Sequence, residues 1–246
     1  VSSIGGNVAE NAGGIHCLKY GLTVHNVLGV RLVDGEGEAL EIGGESLDSP
    51  GYDLLALVSG SEGNLGLITR ATLRLLPRPE STQTVLAAFA CVKSGAEAVG
   101  AIIGAGLVPA ALEMMDRVVI DACERYMALG LPKAEALLLV EVDGSREEAL
   151  ESLAQVESLL AAAGATEVRV ARDDDERAQL WKARKGAFAA LATILPDYYT
   201  MDGTIPRRAL PEVLEAVYAL GREYGLVIGN VFHAGDGNMH PCIFYD

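Results

Sequence analysis

Apolar and polar residues follow two different periods along this chain. Residues 27–33, "VLGVRLV", and 38–42, "EALEI", are apolar stretches joined through "DGEG", a pattern that predicts a β-hairpin. Further on, Ala71, Leu73 and Leu75 alternate with Arg70, Thr72 and Arg74, the period of a half-buried strand. Ahead of both, "IGGNVAENAGG" (4–14) is a run of Gly, Asn and Ala that neither a helix nor a strand favours. Pro77-Arg78-Pro79 breaks the pattern, and a domain boundary is expected near residues 77–81.

Beyond that boundary longer elements are predicted. "TVLAAFACV" (84–92) and "EALLLVEVDG" (135–144) read as strands, and "AEAVGAIIGAGL" (96–107) as a helix ending near Gly106. Ser145 and Glu148 form a capping-box signature, Leu150, Leu153, Val156 and Leu160 share one face, and Gly164 supplies the stop. "TEVRVA" (166–171) alternates as a strand, and Asp174 to Leu195 is mostly helical, with Trp181 the only tryptophan. Strands and helices alternating in this way give an α+β class, with the helices expected on one side of a sheet.

Composition narrows the function classes. Half the residues are apolar, which fits a folded, soluble protein. With 34 acidic against 19 basic residues the formal charge is −15, a field that disfavours nucleic acid and anionic membrane surfaces. Cys17, Cys91, Cys123 and Cys242 are scattered without a C-x-x-C pair, which reads as reduced, cytoplasmic thiols. No run of about eighteen apolar residues suggests a transmembrane segment, and no signal peptide is apparent. The chain opens on "VSSIGGN", its first methionine is Met114, and it stops at "FYD", so it reads as a fragment.

Two kinds of residue could carry chemistry. Gly5, Gly6, Gly13 and Gly14 let a ligand approach the backbone and can form an anion-binding concavity, with Asn7 and Asn11 adding amides. The run is not G-x-G-x-x-G after a strand, and on composition alone it reads first as a tight structural loop; "GSEGNLG" (60–66) is a second such loop and reads again as a turn. The second kind is "NVFHAGDGNMHPCIF" (230–244), which sets His233 and His240 seven apart. Gly235, Gly237 and Pro241 argue against a helix there. A hairpin turning at "AGDGN" can place the two imidazoles opposite one another, with Cβ atoms about 4.5–5.5 Å apart, close enough to share a metal. Two unrelated loop histidines remain the alternative, and Asp236 is the one carboxylate plainly nearby. His16 and His25 read as surface or loop residues. Arg184, three residues after Trp181, lies near it on a helix and reads either as a solvated charge or as an anion site.

Taken together, "SIGGNVAENAGG", "CLKYGLTVHNVLG", "GYDLLALVSGSEGNLGLITRATLRLLP", "LWKARKGAFAAL", "PDYYTMDGTIPRRALP" and "NVFHAGDGNMHP" resemble the vanillyl-alcohol-oxidase (PCMH-type) flavoproteins. Within them the resemblance is to glycolate oxidase D subunits and the related D-lactate and D-2-hydroxyglutarate dehydrogenases; residues 80–175 match only in character. The resemblance implies the C-terminal portion of a PCMH-type FAD-binding domain over 1–79. Over 80–246 it implies a truncated, ferredoxin-like FAD-linked oxidase C-terminal (substrate and metal) domain. It further implies that FAD is lined by Gly5, Gly6, Asn7, Asn11, Ala12, Gly13, Gly14, Glu62, Gly63 and Ile68, the other half of the flavin domain lying upstream of Val1. Arg184 would clamp a substrate carboxylate. His233 and His240 would ligate a divalent metal (Zn, Fe or Mn), with a later Glu-His pair supplying the third ligand and the base. Thr200 stands near a lysine of the D-2-hydroxyglutarate enzymes, which implies a substrate without a distal carboxylate.

The activity so implied is FAD-dependent oxidation of glycolate, or D-lactate, to the 2-oxo acid. The setting would be an oxidase complex with iron–sulfur and second flavin-type subunits, cytoplasmic or peripheral at the inner membrane through those partners. A D-lactate dehydrogenase acting without that complex is the nearer alternative. A metal-dependent hydrolase using the histidines without flavin, and a non-catalytic assembly subunit, are alternatives of other classes.

Overall fold

Residues 27–43 fold as the hairpin that their pattern predicts, in a computed structural model that describes residues 2–46 and 51–245. Strand β1 (Val27–Val33) pairs antiparallel with β2 (Ala39–Gly43), and Val33 stands opposite Ala39. Asp34 closes the turn, its carboxylate accepting from the N–H groups of Glu36 and Glu38 at 2.9 Å each. Strand β3 (Leu67–Leu73) pairs on the other side of β1, giving a three-stranded sheet in the order β2-β1-β3. The predicted alternation stops short of Leu75, which lies past the strand and is 89% exposed.

Residues 4–14 depart from expectation. Ile4–Glu10 form a helix, α1, in spite of Gly5 and Gly6. Ser3 caps it by accepting from the Gly6 N–H at 3.0 Å, and Asn11 ends it in the left-handed region at φ 46°. The glycines fall in the first turn, and Val8, on the inner face, is fully buried against Val27, Val30, Leu32 and Val58. Tertiary burial and two good caps outweigh weak propensity. Two short helices, α2 (Cys17–Tyr20) and α3 (Leu54–Val58), complete this unit, which spans 1–78.

The second unit, residues 79–246, is built on a sheet whose described strands pair antiparallel throughout. Its first half is the β4 (Ser81–Phe89), α4 (Val92–Gly104), β5 (Ala111–Asp116), β6 (Ala136–Gly144), α6 (Arg146–Ala162), β7 (Glu167–Val170) succession, with strand order β7-β4-β6-β5. That is the ferredoxin-like order, with helix α5 (Arg117–Met127) inserted between the middle strands. The capping box at α6 forms, Ser145 Oγ accepting from the Glu148 N–H at 3.3 Å and Glu148 Oε2 from the Ser145 N–H at 3.0 Å. The buried positions of α6 are Ala149, Leu153, Val156 and Leu160; Leu150 turns outward instead.

After β7 come α7 (Asp174–Leu191), β8 (Asp197–Thr200), β9 (Gly203–Thr204), α8 (Leu210–Tyr224), β10 (Val227–His233), β11 (Asn238–Met239) and β12 (Pro241–Tyr245). Strand β10 joins the sheet beside β5, with Val231 opposite Met115, Phe232 opposite Met114 and His233 opposite Glu113. Opposed residues share a face. Gly95 of α4 packs within reach of Met114 and Ala136, so α4 covers the Met114–Phe232 face. Gly229 packs against Val118 and Val119 of α5 and Leu191 of α7, so these helices cover the Glu113–His233 face. Helices therefore flank both faces, not one; the insertion of α5 and the return of α7 supply the second layer.

Candidate active site

The second layer matters because it closes a polar cluster in an apolar setting. Strand β5, "ALEMMD", is buried at every position, and its Glu113 is the one charged residue in its interior. From the directly opposed position on β10, His233 Nδ1 lies 2.9 Å from both oxygens of the Glu113 carboxylate. From α7, the Arg184 Nε–H donates to Glu113 Oε2 at 2.7 Å. The side chains of Arg184 and Glu113 are 7% and 1% exposed, so this is a desolvated ion pair.

One helical turn earlier, the Trp181 Nε1–H donates to Glu141 Oε2 at 2.7 Å, and the Thr84 hydroxyl donates to the same oxygen at 2.9 Å. Helix α7 is thus pinned to the sheet by two donors, three residues apart, each ending on a buried carboxylate. Arg184 is therefore a buried, paired charge and not a solvated one.

His240 arrives from the far side of the turn. Asn230 pairs with Pro241 and His233 with Asn238, so His240 stands across from Val231, diagonal to His233 and not directly opposite it. The rings still meet, with centroids 5.0 Å apart and planes at 87°. The turn that brings them together is held at several atoms. Arg207 Nη1 donates to the Gly235 carbonyl at 3.2 Å, and the Ile205 N–H donates to the Gly237 carbonyl at 3.0 Å. Asn238 Nδ2 donates to Asp202 Oδ1 at 2.6 Å. Gly237 sits at φ 79°, and a Cβ there would strike the carbonyl oxygen of Ile205, which requires glycine.

Electrostatics follow from burial. Burial, and then the charge of His233, holds the His240 imidazole below its ordinary range, so it favours the neutral, lone-pair form. Burial raises the Asp236 carboxyl, and its Oδ1 accepts from the Asn238 N–H at 3.2 Å. His240 Nδ1 lies 3.6 Å from Asp202 Oδ1, as His233 Nδ1 lies against Glu113. Both rings therefore present their Nδ1 edge to a carboxylate, which suits Nε2 to act as a donor atom to a cation. Among the described residues no group of three His, Cys, Asp or Glu side chains is arranged to hold a metal.

The sequence named Arg184, His233 and His240, and the structure brings all three together. It missed Glu113 and Glu141. The carboxylate expected beside the histidines was Asp236; the one that bonds His233 is Glu113. A lone acid inside a strand with no polar period was the available signal.

The glycine-rich candidates lie in the first unit and are described within it. Gly5 and Gly6 open α1, Asn7 lies in it, and Asn11 caps it, its Oδ1 accepting from the Val24 N–H at 2.9 Å. The Ala12 carbonyl accepts from the Thr23 hydroxyl at 2.8 Å. The 59–66 loop is bonded to α1: the Gly60 N–H donates to the Val8 carbonyl at 2.9 Å and the Glu62 N–H to the Ala9 carbonyl at 2.8 Å. Gly5 approaches the Ile68 carbonyl so closely that a Cβ would sit 3.0 Å from it. Gly14 and Gly63 instead border open space, Gly13 is exposed, and Gly63 has φ 77°. In the same loop the hydroxyls of Ser59 and Ser61 are buried without a hydrogen-bond partner. Open glycine backbone beside buried, unpaired hydroxyls fits a polar cofactor edge such as the ribityl-pyrophosphate part of a flavin dinucleotide.

Comparison with known proteins finds relatives for both units of the chain. The chain is 55% identical over 245 residues to the glycolate oxidase subunit GlcD of Escherichia coli strain K12, covering 99% of this chain and 49% of the relative. It is 38% identical over 248 residues to the subunit of the same name from Bacillus subtilis strain 168, covering 100% and 53%. It is 33% identical over 250 residues to D-lactate dehydrogenase of Anaerostipes hadrus, covering 97% and 52%. The chain thus spans about half the length of the curated relatives it matches. Among solved structures, 4-ethylphenol oxidase from Gulosibacter chungangensis superimposes with a TM-score of 0.73 at 17% identity, over 98% of this chain and 55% of that one, which establishes a shared fold. The model of the FAD binding domain matches residues 1–43. Since the model of the C-terminal domain of FAD linked oxidases matches residues 78–246, the chain belongs to the FAD-linked oxidase family.

Proposed function

We propose that the protein of which this chain is part oxidises a small 2-hydroxy acid, glycolate or D-lactate, to the 2-oxo acid. The observation that carries the reading is the buried Arg184–Glu113–His233 chain, completed by the His240 ring 5.0 Å away. Arg184 spends its Nε on Glu113, which leaves the Nη end of a planar guanidinium for a carboxylate. Arg184 and Glu113 cancel in charge, so an anion gains little net attraction from the pair itself. His233 and His240 would hold a divalent cation through their Nε2 atoms, and such a cation, when bound, supplies that attraction and acidifies a coordinated hydroxyl. FAD, when bound, would supply the hydride acceptor for the α-carbon, and the hydroxyl proton would pass to a general base of the full-length protein. The residues of the chain then bind the carboxylate, orient the α-carbon and keep water from the cluster.

A short substrate fits the neutral surroundings on β8, where the Thr200 hydroxyl lies 3.5 Å from Cys242 Sγ and no cation stands in its place. The names of the two glycolate oxidase relatives support glycolate and membership of an oxidase complex; the D-lactate dehydrogenase supports D-lactate at lower identity. Iron–sulfur and second flavin-type subunits would take the electrons on, and any membrane association would run through them. Among the described residues no helix is long and apolar enough to cross a membrane.

The test uses the full-length protein. His233→Ala and His240→Ala should keep the flavin absorption band, yet glycolate should no longer bleach it anaerobically. Bleaching at the wild-type rate in both variants refutes the assignment, and a colourless wild type refutes the flavin reading altogether.

A further inference from the structure

Glu113 bonds Arg184 and His233, two of the three groups to which a role has been given, and has none itself. We infer that Glu113 is the positioning residue of this site: its carboxylate fixes His233 as the Nδ1–H tautomer and orients the guanidinium of Arg184. What those two groups then hold rests on the function proposed above.

The argument is one of donors and acceptors. A carboxylate beside Arg184 can only accept, and both its oxygens lie 2.9 Å from His233 Nδ1, so that nitrogen must carry the proton. In the neutral ring the lone pair then lies on Nε2, the nitrogen directed away from Glu113. Arg184 Nη2 lies 3.4 Å from the same Nδ1 but is itself only a donor, so this approach is a contact and not a bond. Glu113 Oε2 separates the two donors by accepting from each. With Glu113 at 1% exposure, water cannot take over that task.

Placement makes the carboxylate rigid. Glu113 and His233 are directly opposed on neighbouring antiparallel strands, so the ladder sets their separation. The Trp181–Glu141–Thr84 contacts anchor α7 one turn away without touching His233. Anchoring of the helix and control of the imidazole can therefore be separated by mutation.

The experiment is the 15N spectrum of the imidazoles in chelator-treated, 15N-histidine-labelled full-length protein, with His233 assigned from His233→Gln. The wild type should show His233 protonated at Nδ1. Glu113→Gln keeps the volume but offers an amide N–H to the ring, so a substantial share of His233 should move to the Nε2–H tautomer and the KM for glycolate should rise at least tenfold. Glu141→Gln should leave the tautomer as in the wild type. A His233 that is Nε2–H in the wild type, or that stays wholly Nδ1–H in Glu113→Gln, overturns the inference. A shifted tautomer in a protein whose flavin no 2-hydroxy acid reduces upholds it and overturns the proposed function instead.

Discussion

Removing one side of the Arg184–Glu113 pair should cost far more than half the cost of removing both. In Glu113→Leu the guanidinium keeps its 7% exposure but loses the carboxylate 2.7 Å from its Nε, the case in which a buried charge is left alone. Such losses run to about 3–5 kcal/mol. Arg184→Met leaves Glu113 with His233 as its remaining donor, so the lower end of that range, about 3 kcal/mol, is expected. The double variant strands neither charge and leaves only the Nδ1–H of His233 unpaired, a loss of about 1–2 kcal/mol. The coupling energy should then be at least about 4 kcal/mol in magnitude. Urea unfolding followed by Trp181 fluorescence measures it, because this tryptophan is buried in the second unit beside the pair. Additivity to within about 0.5 kcal/mol would mean that water reaches the pair, and the account of a desolvated cluster would be wrong.

Two further outcomes follow from groups around the same strands. Asp116 accepts from the Asn230 N–H at 2.8 Å, Asn230 Nδ2 at 2.9 Å, the Tyr218 hydroxyl at 2.8 Å and the Val119 N–H at 3.2 Å, so Asp116→Ala strands several buried donors and an α5 cap. It should lower stability by at least about 3 kcal/mol in the same urea assay. For His240, burial and then His233 lower the folded-state pKa below the ordinary 6.5, so the unfolded chain binds more protons in that window. The contribution of His240 to stability is therefore intact above pH 6.5 and declines as pH falls through the folded value. His240→Gln should flatten the fall in unfolding free energy between about pH 6.5 and 5, and an unchanged slope would contradict the direction of the shift.

What could be read from the sequence was what local chemistry specifies. The β1–β2 hairpin follows from "DGEG" between apolar stretches, and the start of α6 follows from Ser145 and Glu148, because in each case the partners lie within a few residues. What long-range packing decides was not legible. Residues 4–10 become helical because Val8 is buried, and Leu150 faces outward because Ala149 takes the inward position. The diagonal offset of His240 comes from the register of β10 with β12, which spacing alone does not fix. Helices α5 and α8 have no counterpart among the elements that local pattern predicts, and α5 is one of the two that cover the second face. Glu113 was hidden for a related reason: its partners Arg184 and His233 stand 71 and 120 residues further along the chain. The glutamate of "AALEMMD" carries no trace of them.

The match between helix and sheet explains why that acid is tolerated in the core. Glu141 lies opposite Ala111, and Glu113 opposite Leu139, so the two carboxylates are diagonal neighbours on one face of the β5–β6 pair. Diagonal positions are about 7–8 Å apart at Cα, and residues three apart on a helix lie about 5–6 Å apart at Cβ. Side chains as long as Trp181 and Arg184 close that difference. Apolar packing alone would let α7 slide or turn on an aliphatic sheet, since the hydrophobic effect has no direction. Two directional bonds at matched spacing fix both its position along the sheet and its rotation. Arg184 is thereby placed beside His233 with little freedom to move, and little freedom is what a group that must orient a substrate carboxylate requires.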